Sequence, residues 1–326
     1  MTEAAEWPAL LVPARTIPVP TSISRQAQTA LARGRRDGDA YPALDDAEGW
    51  RSQRRKGEQM MLAFLQSRIS HIAAEVREIT VEEAHVYIVK PANRVDDRCV
   101  YLDIHGGGLT MGGGECCRAS GIGNAALVGA ELWSVDYRMP PDHPYPAGLD
   151  DCLAAYRALL AHHRPEDIIV GGASAGGNLA AAMILRARDE GLPLPAAVLL
   201  LSPELDLTES GDSFRTNMGI DTVLTESLMP ANQLYAGGHD LSHPYLSPLL
   251  GDVSRGFPPS FITAGTRDLF LSNAARMHRA LRRADIKAEL HVFEAAPHGK
   301  SLFTGTPEEE DLNAEIRRFV DSQWRR

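Results

Sequence analysis

The stretch GGASAGG, residues 171–177, sets one serine between two glycine pairs, after the β-branched run IIV and before an alanine-rich one. Three chemistries compete for such a segment. A phosphate loop needs GxxxxGK[ST], so that a lysine reaches the phosphates. Gly171 to Gly176 has the glycine spacing, but Gly177 and Asn178 stand where the lysine and the hydroxyl should be. A dinucleotide fingerprint needs GxGxxG near the first strand, and neither this segment nor HGGGLTMGGGE at 105–115 has that spacing. The third chemistry fits. Gly172-Ala173-Ser174-Ala175-Gly176 reads G-x-S-x-G between a strand and a helix. A sharp turn there strains the serine backbone and exposes its hydroxyl as a nucleophile. The N–H groups of the following helix favour a developing anion.

A second signal lies upstream. His105-Gly106-Gly107-Gly108 follows the strand-like run CVYLDI. Consecutive glycines let backbone N–H groups approach a ligand with no side chain in the way. Acyl transfer needs such donors for its tetrahedral oxyanion, each worth roughly 10²–10³ in rate. The second glycine run, Gly112 to Gly114, reads as a flexible loop.

A serine nucleophile needs a base, and the base needs an orienting acid. The histidines after Ser174 are His239, His243, His278, His291 and His298. His278 falls in an amphipathic helix and His291 in a strand, which are structural settings. His298, in APHGK, falls in a loop just past the strand AELHVFE. Asp268, in GTRD, follows the strand PSFITAG in the same manner. Open α/β sheets place their sites at these strand ends. Glu204 and Asp206 also follow a strand and remain alternative acids.

The elements that must position these residues come in two kinds. Residues 1–70 are helical in character, with apolar spacing over 24–36 and 46–66 and no clear strand. From residue 84 strands and helices alternate. Strands are predicted at 84–91, 99–106, 132–138, 167–172, 196–203, 259–265 and 288–294. Residues 204–258 break the rhythm, with turn residues and one short helix around TESLMPANQLYAGG. Such alternation predicts a mostly parallel sheet covered on both faces.

Composition excludes several function classes. The 326 residues suit one large α/β domain, or one with a small lid. A net charge of −10 repels nucleic-acid phosphates. The basic clusters around Arg33–Arg36 and Arg51–Lys56 read as solvated helix faces. No stretch approaches the about 20 apolar residues of a membrane helix. The first residues carry acids where a secretion signal wants basic ones, so the expected location is cytoplasmic. Cys99, Cys116, Cys117 and Cys152 show no metal-ligand spacing and are read as reduced thiols.

With these motifs the sequence resembles the hormone-sensitive-lipase-like branch of the α/β-hydrolases, the family IV bacterial esterases. The matching segments are HGGG at 105–108, DYRMPPDHPYPAGLDD at 136–151, GASAGGNLA at 172–180, GTRDLFLS at 265–272 and HVFEAAPHG at 291–299. The resemblance implies Ser174 as nucleophile, His298 as general base and Asp268 as orienting acid. It puts the oxyanion donors at the backbone N–H groups of Gly107, Gly108 and Ala175, with His105 and Gly106 supporting that loop. It implies an eight-stranded core at 71–203 and 241–326, with a helical cap from 1–70 and 204–240. Leu109 and Lys300 stand where the family usually has other residue types, and both bear on substrate shape.

The expected activity is hydrolysis of short- to medium-chain or aryl esters, without metal or organic cofactor. Leu109, Met111, Met218, Leu224 and Leu234 are candidate pocket-lining residues. Two rivals accompany this reading. A lactonase or amidase would use the same residues, and the spacing of Thr216, Asn217 and Asp221 resembles a lactone-hydrolysing subgroup. A non-enzymatic ligand receptor on this fold would lack the triad histidine, and His298 is present. A homodimer is expected by family analogy alone.

Overall fold

The computed structural model describes residues 10–34, 40–299 and 304–324. Lys300, and Arg35 and Arg36 at the end of the predicted helix 24–36, lie outside the described residues. The frame is one eight-stranded sheet: β1 (Ala74–Val81), β2 (Ala84–Pro91), β3 (Val100–Ile104), β4 (Glu131–Asp136), β5 (Ile168–Ala173), β6 (Ala197–Leu201), β7 (Ser260–Gly265) and β8 (Ala288–Phe293). Their hydrogen-bonded order is β1-β2-β4-β3-β5-β6-β7-β8. β2 runs antiparallel to β1 and β4, and every other pair is parallel.

The central strands form because their sequences are apolar runs that bury both faces. All of VYLDI and SFITAG is buried, as is nearly all of IIVGGA and AVLLL. β1 is the strand absent from the sequence reading. Its run AEVREITV alternates half-buried and exposed residues at the sheet edge, and its charges hide the strand among helix-like neighbours. It pairs with β2 from Ala74↔Pro91 to Val81↔Ala84.

Helices cover both faces. α3 (Glu115–Val128) and the C-terminal helix close one side, where Ile122, Ala125 and Val128 meet Ile316, Phe319 and Val320. On the other side α4 (Ala147–Leu160), α5 (Ala175–Asp189) and a later helix pack through Leu149, Leu153, Leu179, Met183 and Met277. Truncating a core side chain such as the fully buried Leu102 to alanine costs about 2–5 kcal/mol. All four cysteines are buried and form no disulfide.

Ahead of the sheet lie α1 (Arg25–Ala32) and α2 (Ala47–Ile69). The Asp46 side chain caps α2 by accepting the Gly49 N–H at 2.9 Å. After β6 the chain leaves the sheet, forming α6 (Ser213–Thr216) and α7 (Met229–Ala236), and returns at β7. α8 (Leu271–Arg283) joins β7 to β8, and α9 (Pro307–Trp324) ends the fold. Among the described residues, no helix is long and apolar enough to cross a membrane.

Candidate active site

Three loops meet at the C-terminal edge of the parallel strands. The register Ser260↔Ala288 to Gly265↔Phe293 ends β7 and β8 level, so the loops carrying Asp268 and His298 emerge side by side. The β5–α5 turn brings Ser174 against them. His298 Nε2 lies 2.9 Å from Ser174 Oγ, and His298 Nδ1 lies 3.1 Å from Asp268 Oδ1. Asp268 is fully buried, its Oδ1 also accepting the Phe270 N–H at 2.8 Å. Phe270 meets the His298 ring edge-on at 4.7 Å.

The turn itself follows from its small residues. Ser174 has φ 57 and ψ −122, a backbone that side chains rarely adopt. Its N–H donates to Leu201 O at 2.9 Å, and its carbonyl accepts from Gly177 and from Glu204. A Cβ on Gly176 would lie 1.9 Å from Ile104 O, so only glycine lets α5 start this close to β3. Asn178 Nδ2 then donates to Glu204 O and Leu246 O, each at 2.8 Å, tying α5 to the segment after β6.

The 105–108 loop lies beside the serine, with Gly106 packed against Ala173 and Ser174. Gly107 and Gly108 have φ of 128 and 59, and their N–H groups have no acceptor among the described residues. Ala175 opens α5, so its N–H has no intrahelical partner either. His105 backs the loop. Its Nδ1 lies 2.9 Å from Gly106 O, its ring stacks on Tyr137 at 4.1 Å, and Tyr137 donates its hydroxyl to His105 O. Burial lowers the His105 pKa and so favours the neutral ring.

The electrostatics around His298 are set by carboxylates. Burial opposes its charge, but the adjacent Asp268, with Asp221 and Glu204, outweighs burial and raises its pKa. Glu204 is fully buried. Its pKa is pushed up to about 7 by desolvation, which the Asn232 amide and His298 only partly offset. The Asn232 amide is near enough to favour the charged form, yet neither Glu204 oxygen has a partner in hydrogen-bonding geometry. Of the alternative acids, then, Glu204 makes no bond to the histidine, and Asp206 is spent on Thr208, Ser210 and Arg276.

A model of a family described as having the alpha/beta hydrolase fold matches residues 101–302. The chain belongs to the α/β-hydrolase fold family. This hydrolase is 37% identical to an acetyl-hydrolase of Streptomyces hygroscopicus over 224 residues, covering 67% of this chain and 72% of the relative. The solved structure of an esterase E25 superposes with a TM-score of 0.88 at 31% identity, covering 96% of this chain and 98% of the other. An esterase from the bacterial hormone-sensitive lipase family superposes at 0.78 and 29% identity, covering 93% and 100%.

The hydrolase places its five pocket candidates differently from one another. Leu109, with a φ of 61, is fully buried and belongs to the main core cluster. Met111 is half-buried against Gly57 of α2. Met218 and Leu224 pack against the cluster of Phe214, Leu228, Leu269 and Phe270, one layer from His298. Leu234 is half-buried on α7. Two small cavities, of about 60 and about 90 Å³, share Ala173 and Leu201 in their linings, and Ser174 and His298 line neither.

His105, Cys117 and Asp136 bring donor atoms within 4.8 Å of one another, the one such group among the described residues. Cys117 and Asp136 already have protein partners. The Cys117 thiol meets Ser134 Oγ at 3.2 Å, and Asp136 accepts the Gly114 N–H at 3.0 Å.

Asn217 and Asp221, whose role the sequence left open, bond to the loops of Asp268 and His298. Asn217 Nδ2 donates to Asp268 O at 2.9 Å, and Asp221 accepts the Leu269 N–H at 3.1 Å. Their spacing was visible, but the loops they hold together were not.

Proposed function

We propose that this hydrolase is a serine carboxylesterase that cleaves short- to medium-chain or aryl esters through an acyl-enzyme on Ser174. The unbroken contact from Ser174 Oγ through His298 to Asp268, 2.9 and 3.1 Å long, carries the reading. Its chemistry follows directly. With the proton on Nδ1 held by Asp268, His298 Nε2 accepts the Ser174 proton as the oxygen attacks the ester carbonyl. The oxyanion forms against the N–H groups of Gly107, Gly108 and Ala175, which have no competing acceptor among the described residues. His298 returns the proton to the leaving alcohol. Water then repeats the sequence on the acyl-enzyme and frees the acid.

The segments 1–70 and 204–240 act in this proposal as a cap that limits chain length. Lactones and amides would meet the same residues and serve as comparison substrates. The test is turnover of p-nitrophenyl esters from acetate to palmitate by wild type and Ser174→Ala. Activity peaking at short chains and absent from the variant is the expected result. Activity retained by Ser174→Ala would overturn the assignment.

A further inference from the structure

The loop that presents Gly107 and Gly108 is rich in glycine. Residues 106–108 and 112–114 are all glycine. Holding such a segment in one shape costs more backbone entropy than holding any other composition. Its internal bonds are few: Gly107 O accepts from Thr110 and Met111. The remaining ties come from outside the loop.

Many of them come from α2. Glu58 Oε1 accepts the Gly112 N–H at 3.0 Å and the Gly113 N–H at 3.2 Å. Arg54 donates Nε–H to Thr110 O at 2.8 Å and a second N–H to Pro140 O. The Cys116 thiol donates to Glu58 O at 3.2 Å. α2 also comes close: a Cβ on Gly57 would lie 2.8 Å from Met111 Sδ. Yet the helix itself is poorly anchored by apolar burial, with Trp50 its one fully buried residue. Glu48, Arg51 and Arg55 pair within the helix, whereas Glu58 and Arg54 tie it to the loop.

We propose that Glu58 is a positioning residue for the oxyanion loop, and that Gly107 and Gly108 present their N–H groups correctly only while α2 is docked through Glu58 and Arg54. The inference rests on the esterase reading for its catalytic consequence, though the clamp itself does not depend on it. One carboxylate oxygen holding two successive N–H groups fixes the loop's outer end, while the inner end carries the donors. Loss of that hold loosens the donors without touching Ser174, His298 or Asp268.

The experiment compares Glu58→Ala, Glu58→Gln and the same-helix control Gln59→Ala in the full chain. For p-nitrophenyl butyrate, Glu58→Ala is expected to lower kcat roughly 10- to 100-fold with little change in KM, the scale of a displaced catalytic group. Glu58→Gln keeps an acceptor oxygen and should restore most of the rate. Gln59→Ala should match wild type. Native-state hydrogen exchange supplies a readout independent of turnover: Glu58→Ala should speed exchange at the bonded amides of Thr110 to Gly114 and leave the β5 and β6 amides protected. An inert wild type would remove the esterase reading, and exchange would still decide the clamp. Unchanged exchange in Glu58→Ala, or a Gln variant as impaired as the Ala variant, would overturn the proposal.

Discussion

Asp221 accepts the backbone N–H of His298 with both carboxylate oxygens, at 3.3 and 3.2 Å, across 77 residues of chain. The same carboxylate accepts N–H groups from Val223 at 2.8 Å, Leu224 at 3.1 Å and Leu269 at 3.1 Å. One side chain thereby joins the segment after α6 to the loops of both Asp268 and His298. Its role is to fix where the histidine sits.

Asp221→Asn places an amide NH₂ among these four donors. We expect kcat to fall about 100-fold, as for a catalytic group moved by about 1 Å. KM should change far less, because no substrate contact is lost. Steady-state kinetics beside a thermal melt separate this from general unfolding. Unchanged kcat in a folded variant would show that the histidine is held by other means.

The raised pKa of His298 fixes the acid side of the rate profile. In the proposed mechanism His298 must be neutral to take the serine proton, and its carboxylate neighbours favour the charged ring. Activity should therefore fall, as pH drops, with an inflection above the ordinary histidine value of 6.5. Asp268→Asn removes the largest of those neighbours, so the inflection should move down while kcat drops about 10⁴-fold. An inflection that stays put would assign it to another group.

Glu204 gives a stability prediction of definite sign. Its pKa is raised from 4.5 to about 7, so the folded state binds its proton more tightly than the unfolded chain does. That contribution is complete below pH 4.5 and is lost as pH rises through about 7. Glu204→Gln should flatten this part of the stability profile. At pH 8 the variant should gain on the order of 3 kcal/mol over its relative standing at low pH. Denaturant melts of both proteins across the range measure it, and parallel profiles would show that the carboxyl is hydrated or paired.

Gly107→Ala tests the oxyanion loop directly. Its φ of 128 is strained for any side chain, and an added Cβ would lie 2.0 Å from Met111 O. The loop must shift, and kcat should fall roughly 10²–10³-fold, the value of one lost donor. Far-ultraviolet circular dichroism should match wild type, because the loop lies outside the sheet.

The legible part of this protein is the part whose chemistry is local. Ser174 within five small-flanked residues, and His105 ahead of three glycines, are readable because a sharp strand–helix turn and an open row of N–H groups each demand particular residue types in sequence. The central strands were readable for the same reason, since burial on both faces demands unbroken apolar runs. β1 was not, because an edge strand with charges on its open face satisfies its backbone through β2 alone.

Sequence order alone could nominate Asp268 and His298 but left Glu204 and Asp206 in contention. The structure brings Asp268 to His298 across 30 residues and His298 to Ser174 across 124. That choice belongs to the level register of β7 and β8, which no local pattern encodes. The same holds for Asp221 beneath His298 and for Glu58 behind the oxyanion loop. Carboxylates on segments remote in the chain become positioning groups only when the sheet ends bring unsatisfied backbone N–H groups to them, and a buried N–H without an acceptor is too costly to leave unmet.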